Sequence, residues 1–259
     1  MWMQVLRAAG LPVIGEAFPS PWGESLREAN PLGFYESQLA AGVYHATNPH
    51  PQTGAYLFPE ATRQHVVKVF VPGLVRTDVA FLDAVIATVR PWREVAASGA
   101  QLRAIAPEGS PGHLPEEVSA PLWWWAETFA LVRDIATRRY AAHVVSYERV
   151  VQDPEREVGA VIAWLGCGEV APAVAAVEPS LRRSVAGSPS AGELSEVEIE
   201  VLDALYDRLH EGRPLDGAFV QRLNALDVAL RPRLLAARER ARMSLVSRWS
   251  FEGEVRSVR

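Results

Sequence analysis

Lysine is nearly absent from this chain: of 26 basic side chains in 259 residues, Lys68 alone is a lysine and the other 25 are arginine. A codon bias toward Ala, Arg, Gly and Pro accounts for that ratio by chance. A site that needs a compact ammonium accounts for it by function. Cysteine is as scarce, with Cys167 the only one. That excludes an intrachain disulfide framework and a cysteine-built zinc cage, and it fits a reducing compartment. No apolar run reaches the roughly 18 residues a membrane span needs, and no charged-then-apolar leader opens the sequence. A cytoplasmic chain without a membrane span is the expectation.

What is present is ordinary globular material: 49% apolar and 22% charged residues exclude a disordered, collagen-like or coiled-coil chain. The length suits one large domain or two small ones. The net charge of -5 is unevenly spread, because 231–259 carries eight Arg against three acids. A basic tail can mark nucleic acid or an anionic membrane surface. Here Leu234, Leu235 and Ala241 have helical spacing, so a solvated outer helix is expected and no nucleic-acid partner.

Met1 to Ala9 predicts a helix stopped by Gly10, and Leu11 to Ile14 a short extended run. Glu16 to Asn30, with Pro19, Pro21 and Gly23, predicts a loop. Val66 to Val71, Ala84 to Val89 and Ala142 to Ser146 are apolar or β-branched almost throughout, as strands covered on both faces of a parallel sheet are. Between them lie a helix entered at Pro91 and running through Arg93 to Ser98, and a long one within Pro115 to Tyr140 that carries Trp123, Trp124 and Trp125. Asp153 and Pro154 predict an N-cap and first-turn proline for a helix ending at Gly166. Three helices are expected after that, at Leu194 to His210, Gly217 to Val228 and Pro232 to Leu245, with a flexible loop at Ser184 to Gly192. The pattern is an α/β core at 1–183 followed by a helical subdomain and basic tail at 184–259.

Ligands of open parallel sheets bind beyond the carboxyl ends of the strands. Those ends offer Lys68 with the turn before Pro72, Arg90 after AVIATV, and Tyr147-Glu148 after AHVVS. Two cations point to an anion. Arg90 opens RPWREVAAS, and an arginine fork with the Ser98 hydroxyl near a helix start suits a phosphate; a surface ion pair is the plainer alternative for Arg90.

Taken together these segments resemble the cytosolic sulfotransferase family, in particular its bacterial branch. VRPWREVAAS is similar to the family's 3′-phosphate signature, an Arg eight residues before a Ser. SYERVVQDPEREVGAVIAWLG is similar to its later strand, Tyr-Glu, Asp-Pro, helix, Leu-Gly block. KVFVP sits where the family has a lysine ahead of a turn, and MWMQVLRAAGLPV with NPLGFYE looks like the helix and loop after its first phosphate-binding turn. The resemblance covers roughly Met1 to Arg183. It implies a three-layer parallel sheet with flanking helices, the P-loop-like sulfotransferase fold. It also implies sulfuryl transfer from 3′-phosphoadenosine 5′-phosphosulfate to a hydroxyl or amine acceptor, with no metal. By it Arg90 and Ser98 hold the 3′-phosphate, Tyr147 lies near the nucleotide, and Lys68 stands near the sulfuryl group, work the family's lysine shares with a phosphate-loop cation.

The departures from the family are two. The turn reading roughly Pro-Arg/Lys-Ser-Gly-Thr-Ser/Thr, which cradles the 5′-phosphosulfate, has no counterpart here; a start upstream of Met1 is the favoured explanation and loss of the loop the other. The His that many members place two residues after the turn lysine is Phe70. The base then falls to Glu36, with His45 and His50 second, although an acid placed for the helix macrodipole explains Glu36 equally. The three tryptophans point about 100 degrees apart, so either the helix is buried between sheet and C-terminal helices or one or two rings line an apolar acceptor pocket. Cys167 is expected to be a small packing residue, and Arg182-Arg183 either a surface pair or nucleotide contacts. A catalytically inactive sulfotransferase-fold binding or scaffolding protein is the alternative function, and a nucleotide kinase is disfavoured by the absence of a Walker lysine motif. The acceptor is a small molecule, hydrophobic or aromatic if the tryptophans line its pocket.

Overall fold

A computed structural model describes residues 1–18, 27, 30–105, 118–181 and 194–257, with the backbone alone at 101–105, 181 and 241–257. Its strands are β1 (Val13–Ile14), β2 (Val66–Val67), β3 (Val85–Val89) and β4 (Ala142–Ser146). β1 pairs with β2 and β3 with β4, both parallel, the second pair in the register Val85↔Ala142 to Val89↔Ser146. The chain is therefore mixed α/β and rich in helix. Among the described residues the strands form two separate pairs instead of one continuous sheet.

The expected strand at Val66 to Val71 is real only over its first two residues. Pro72 cannot continue a ladder and starts the short helix α2 (Val71–Leu74). The amide of Phe70 leaves the sheet and donates to the Ala40 carbonyl at 3.0 Å, in the 3₁₀ turn Gln38–Ala41.

β3 and β4 are covered on both faces, which is why their sequences are apolar without a break. Ile86 and Val145 pack with Val5, Leu6 and Ala9 of the first helical segment, α1 (Trp2–Ala8), and with Val158 and Ile162 of α6 (Pro154–Leu165). Val89 and Val144 face the other way, onto α3 (Trp92–Ile105) and α4 (Ala120–Arg138). Gly10, at φ 90°, turns the chain out of α1, and Asp153 caps α6 by accepting from the Arg156 amide. α5 (Tyr147–Gln152) leaves β4 directly, and α7 (Val170–Ala175) packs on α1 and α6.

The C-terminal region holds α8 (Glu196–Glu211), opened by a Ser195/Glu198 capping box, and α9 (Gly217–Ser257). Two helices were expected where α9 runs continuously through Pro232. An interior proline costs about 3 kcal/mol. Leu223, Leu226 and Leu230 before it and Ala237 after it are all buried in one cluster with Trp92, Trp124 and Trp125, and that burial offsets the cost. No helix of the described residues is long and apolar enough to cross a membrane. The expected loop at 184–192, Arg182-Arg183 and the 183/184 boundary lie outside the described residues.

Candidate functional site

The ends of β1 and β2 bring Glu36 and Lys68 together. Ile14 is opposite Val67, so Gly15 and Glu16 leave the pair beside Lys68, and the Glu16 amide donates to the Glu36 carbonyl at 3.1 Å. Gly15 lies so close to the next strand of chain that a β-carbon there would sit 2.5 Å from the Tyr35 carbonyl oxygen. Tyr35 itself is buried in the left-handed region at φ 53°, its hydroxyl accepting from Arg7 at 2.9 Å. The backbone of Glu36 is thereby fixed from both sides. Its side chain is only 11% exposed and accepts from Lys68 Nζ at 2.6 Å, while the lysine side chain remains 28% exposed. The ammonium also lies 5.1 Å from the Phe70 ring and 5.7 Å from the Phe34 ring.

The ends of β3 and β4 do the same for Arg90 and Tyr147, which follow the paired residues Val89 and Ser146. The Arg90 guanidinium carbon stands 3.6 Å from the centre of the Tyr147 ring, a face-on cation–π contact. Arg90 Nε is buried with no hydrogen-bond partner. The Arg90 carbonyl accepts from the Trp124 indole at 2.7 Å, which pins the corner where β3 hands over to α3.

Ser98 is not drawn into this arrangement by a hydrogen bond to Arg90 or Tyr147. α3 begins at Trp92, immediately after Pro91, so Ser98 lies six residues in and about 9 Å along the axis, not at the helix start. The second-choice bases are occupied elsewhere. His50 Nε2 is 2.9 Å from Gln38 Oε1 and its Nδ1 accepts from the Thr53 amide, so both ring nitrogens hold a loop. His45 is exposed against the edge of Tyr44.

The tryptophan helix follows the buried reading. Trp124 and Trp125 are core residues, and Trp125 stacks on Phe129 at 5.0 Å. Cys167 corrects an expectation: it is exposed, because Gly166 at φ 68° ends α6 and Gly168 takes the close contact with Ala9 and Leu11.

A polar group under the β4 end was not foreseen. Ser146, fully buried, lies 2.8 Å from His210 Nδ1 and 3.3 Å from the Tyr206 hydroxyl, which in turn donates to Glu148 at 3.3 Å. Burial raises the Tyr206 phenol pKa; the nearby Glu148 charge also raises it, while its hydrogen bond to Ser146 lowers it. Asp203, one turn earlier on α8, receives Trp92 Nε1 at 2.9 Å and both nitrogens of the Arg93 fork at 2.6 and 3.0 Å. Residues 58 to 111 positions apart meet here, and the local sequence signals were a serine and a glutamate at a strand end. No group of three or more His, Cys, Asp or Glu placed to hold a metal ion occurs among the described residues.

No family model, no curated protein and no solved structure matches the chain.

Proposed function

We propose that the chain binds 3′-phosphoadenosine 5′-phosphosulfate and transfers its sulfuryl group to a hydroxyl or amine acceptor. The observation that carries this reading is that each parallel strand pair ends in a cation, Lys68 paired with Glu36 after β2 and Arg90 stacked on Tyr147 after β3. A donor with anionic groups at its 3′ and 5′ positions needs two separated cations beyond the carboxyl ends of parallel strands. Arg90 holds the 3′-phosphate, its guanidinium stacked on the Tyr147 ring. The acceptor atom forms its bond to sulfur while the bond from sulfur to the 5′-phosphate oxygen breaks, and the electron pair leaves with that oxygen. Lys68 meets the charge developing there, and Glu36 takes the acceptor's proton. A compact ammonium approaches a bridging oxygen more closely than a planar guanidinium, which is the reason to keep one lysine in an arginine-rich chain. The P-loop-like three-layer arrangement and a cytoplasmic location belong to the same proposal, the first supported by the helices on both faces of β3 and β4.

Calorimetry with adenosine 3′,5′-bisphosphate, the desulfated donor, tests it. Arg90→Ala weakens that nucleotide roughly 10- to 150-fold, the equivalent of about 1.5–3 kcal/mol for hydrogen bonds to a charged group, and leaves adenosine 5′-monophosphate unchanged. Absence of binding, or equal losses for both nucleotides, overturns the assignment. A non-catalytic nucleotide-binding protein is the second reading, favoured by the closeness of the Lys68–Glu36 pair, which neutralises both candidate catalytic groups. Transfer from labelled donor to a panel of small phenols and amines separates the two.

A further inference from the structure

The same ion pair carries a regulatory consequence, which rests on the donor assignment above. We infer that Lys68 and Glu36 form a latch opened by the donor: the 5′ anionic group takes Lys68 from Glu36, and only then is the carboxylate free to accept the acceptor's proton.

The geometry makes the lysine the moving partner. Glu36 is held at its backbone by the Glu16 amide, by Gly15 against the Tyr35 carbonyl and by the left-handed Tyr35, and its side chain is nearly buried. Lys68 follows the last residue of a two-residue strand, and its longer side chain is more than twice as exposed. Its other neighbours are the faces of Phe34 and Phe70, which attract an ammonium without binding it at one fixed point. A lysine so placed can pivot between the carboxylate and an incoming anion while remaining over the rings. The ammonium sits 2.6 Å from Glu36 Oε1 and blocks that oxygen from an acceptor's proton. Moving the ammonium to the donor opens it. The latch therefore orders the reaction, donor before acceptor, and protects the acceptor's proton from abstraction at a site with no donor.

Because Lys68 is the sole lysine, protein grown on ¹⁵N-lysine gives one side-chain ammonium signal, and that signal reports the latch without any turnover. Adenosine 3′,5′-bisphosphate is expected to move it, whereas adenosine 3′-monophosphate, held through Arg90, binds and leaves it in place. In Glu36→Gln the free protein starts from a different shift, and the bisphosphate-bound endpoint coincides with that of the parent protein, since in both Lys68 then rests on the 5′-phosphate. Binding of both nucleotides with the Lys68 signal unmoved overturns the latch and leaves the donor assignment standing. A bisphosphate-bound signal that keeps the full difference between parent and Glu36→Gln overturns it equally. Failure of both nucleotides to bind overturns the donor assignment and the latch with it. The comparison of the two nucleotides on the parent protein decides the matter even if Glu36→Gln does not fold.

Discussion

Replacing Glu127 by glutamine is expected to flatten the dependence of stability on pH. Glu127 lies on the tryptophan helix α4, half-buried, where the Trp123 indole and the charge of Arg238 from α9 only partly compensate its loss of water. Burial is the largest effect and raises its pKa from 4.5 to about 7. An acid whose pKa is higher in the folded state favours folding fully below the unfolded value, and that contribution is lost as pH rises through the folded one. Between pH 4.5 and about 7 the unfolded chain ionises this group and the folded chain does not. At about 1.36 kcal/mol per pK unit, the parent protein loses roughly 2–3 kcal/mol from this residue between pH 5 and pH 8. Glu127→Gln keeps the shape and the indole contact and removes the ionisation. Urea unfolding at the two pH values measures the effect: the variant gains on its parent by about 2–3 kcal/mol at pH 8 relative to pH 5. Parallel profiles would refute the reasoning and mean that Arg238 or water compensates the carboxylate fully.

Other substitutions probe the remaining joints. Trp124→Phe leaves the Arg90 carbonyl without its indole donor; a loss of about 1 kcal/mol in unfolding free energy and a weaker bisphosphate titration are expected, with adenosine 5′-monophosphate as the control. Gly15→Ala forces a β-carbon against the Tyr35 carbonyl at φ 140°, and thermal melting should show a loss of about 3 kcal/mol or more. Pro232→Ala restores an amide to the middle of α9 and should raise the unfolding midpoint, by an amount bounded at about 3 kcal/mol. Tyr206→Phe leaves Glu148 without one donor under the β4 end, and its cost of about 1 kcal/mol is read by the same melts.

Much of the core was legible because its strands needed no partner to be recognised. β3 and β4 are apolar on both faces, and α6 announces itself with Asp153, Pro154 and Gly166. Arg90 and Tyr147 were readable as strand-end residues, and the parallel register then stacks one on the other. Lys68 and Glu36 were each singled out, but their pairing was not. It depends on β1 meeting β2 and on Gly15 crossing Tyr35, contacts between segments that share no local pattern. Local rules failed where packing outweighed them. Pro232 reads as a break in isolation, yet the leucines around it bury into one cluster and hold the helix straight through. In VVKVFVP the opposite happened: the hydrophobic run promised a longer strand, and the proline at its end diverted the chain into α2.

Helix α8 fastens the C-terminal helices to both strand corners, through Asp203 on Trp92 and Arg93 and through His210 and Tyr206 on Ser146. Beneath these polar contacts Leu202, Leu205, Leu223 and Leu230 share one apolar cluster with Val89, Trp92 and Trp125. Because these contacts join the two parts, a chain cut between positions 181 and 194 should survive as two complementary fragments that copurify and unfold together, and the pieces expressed apart should reassemble only with each other.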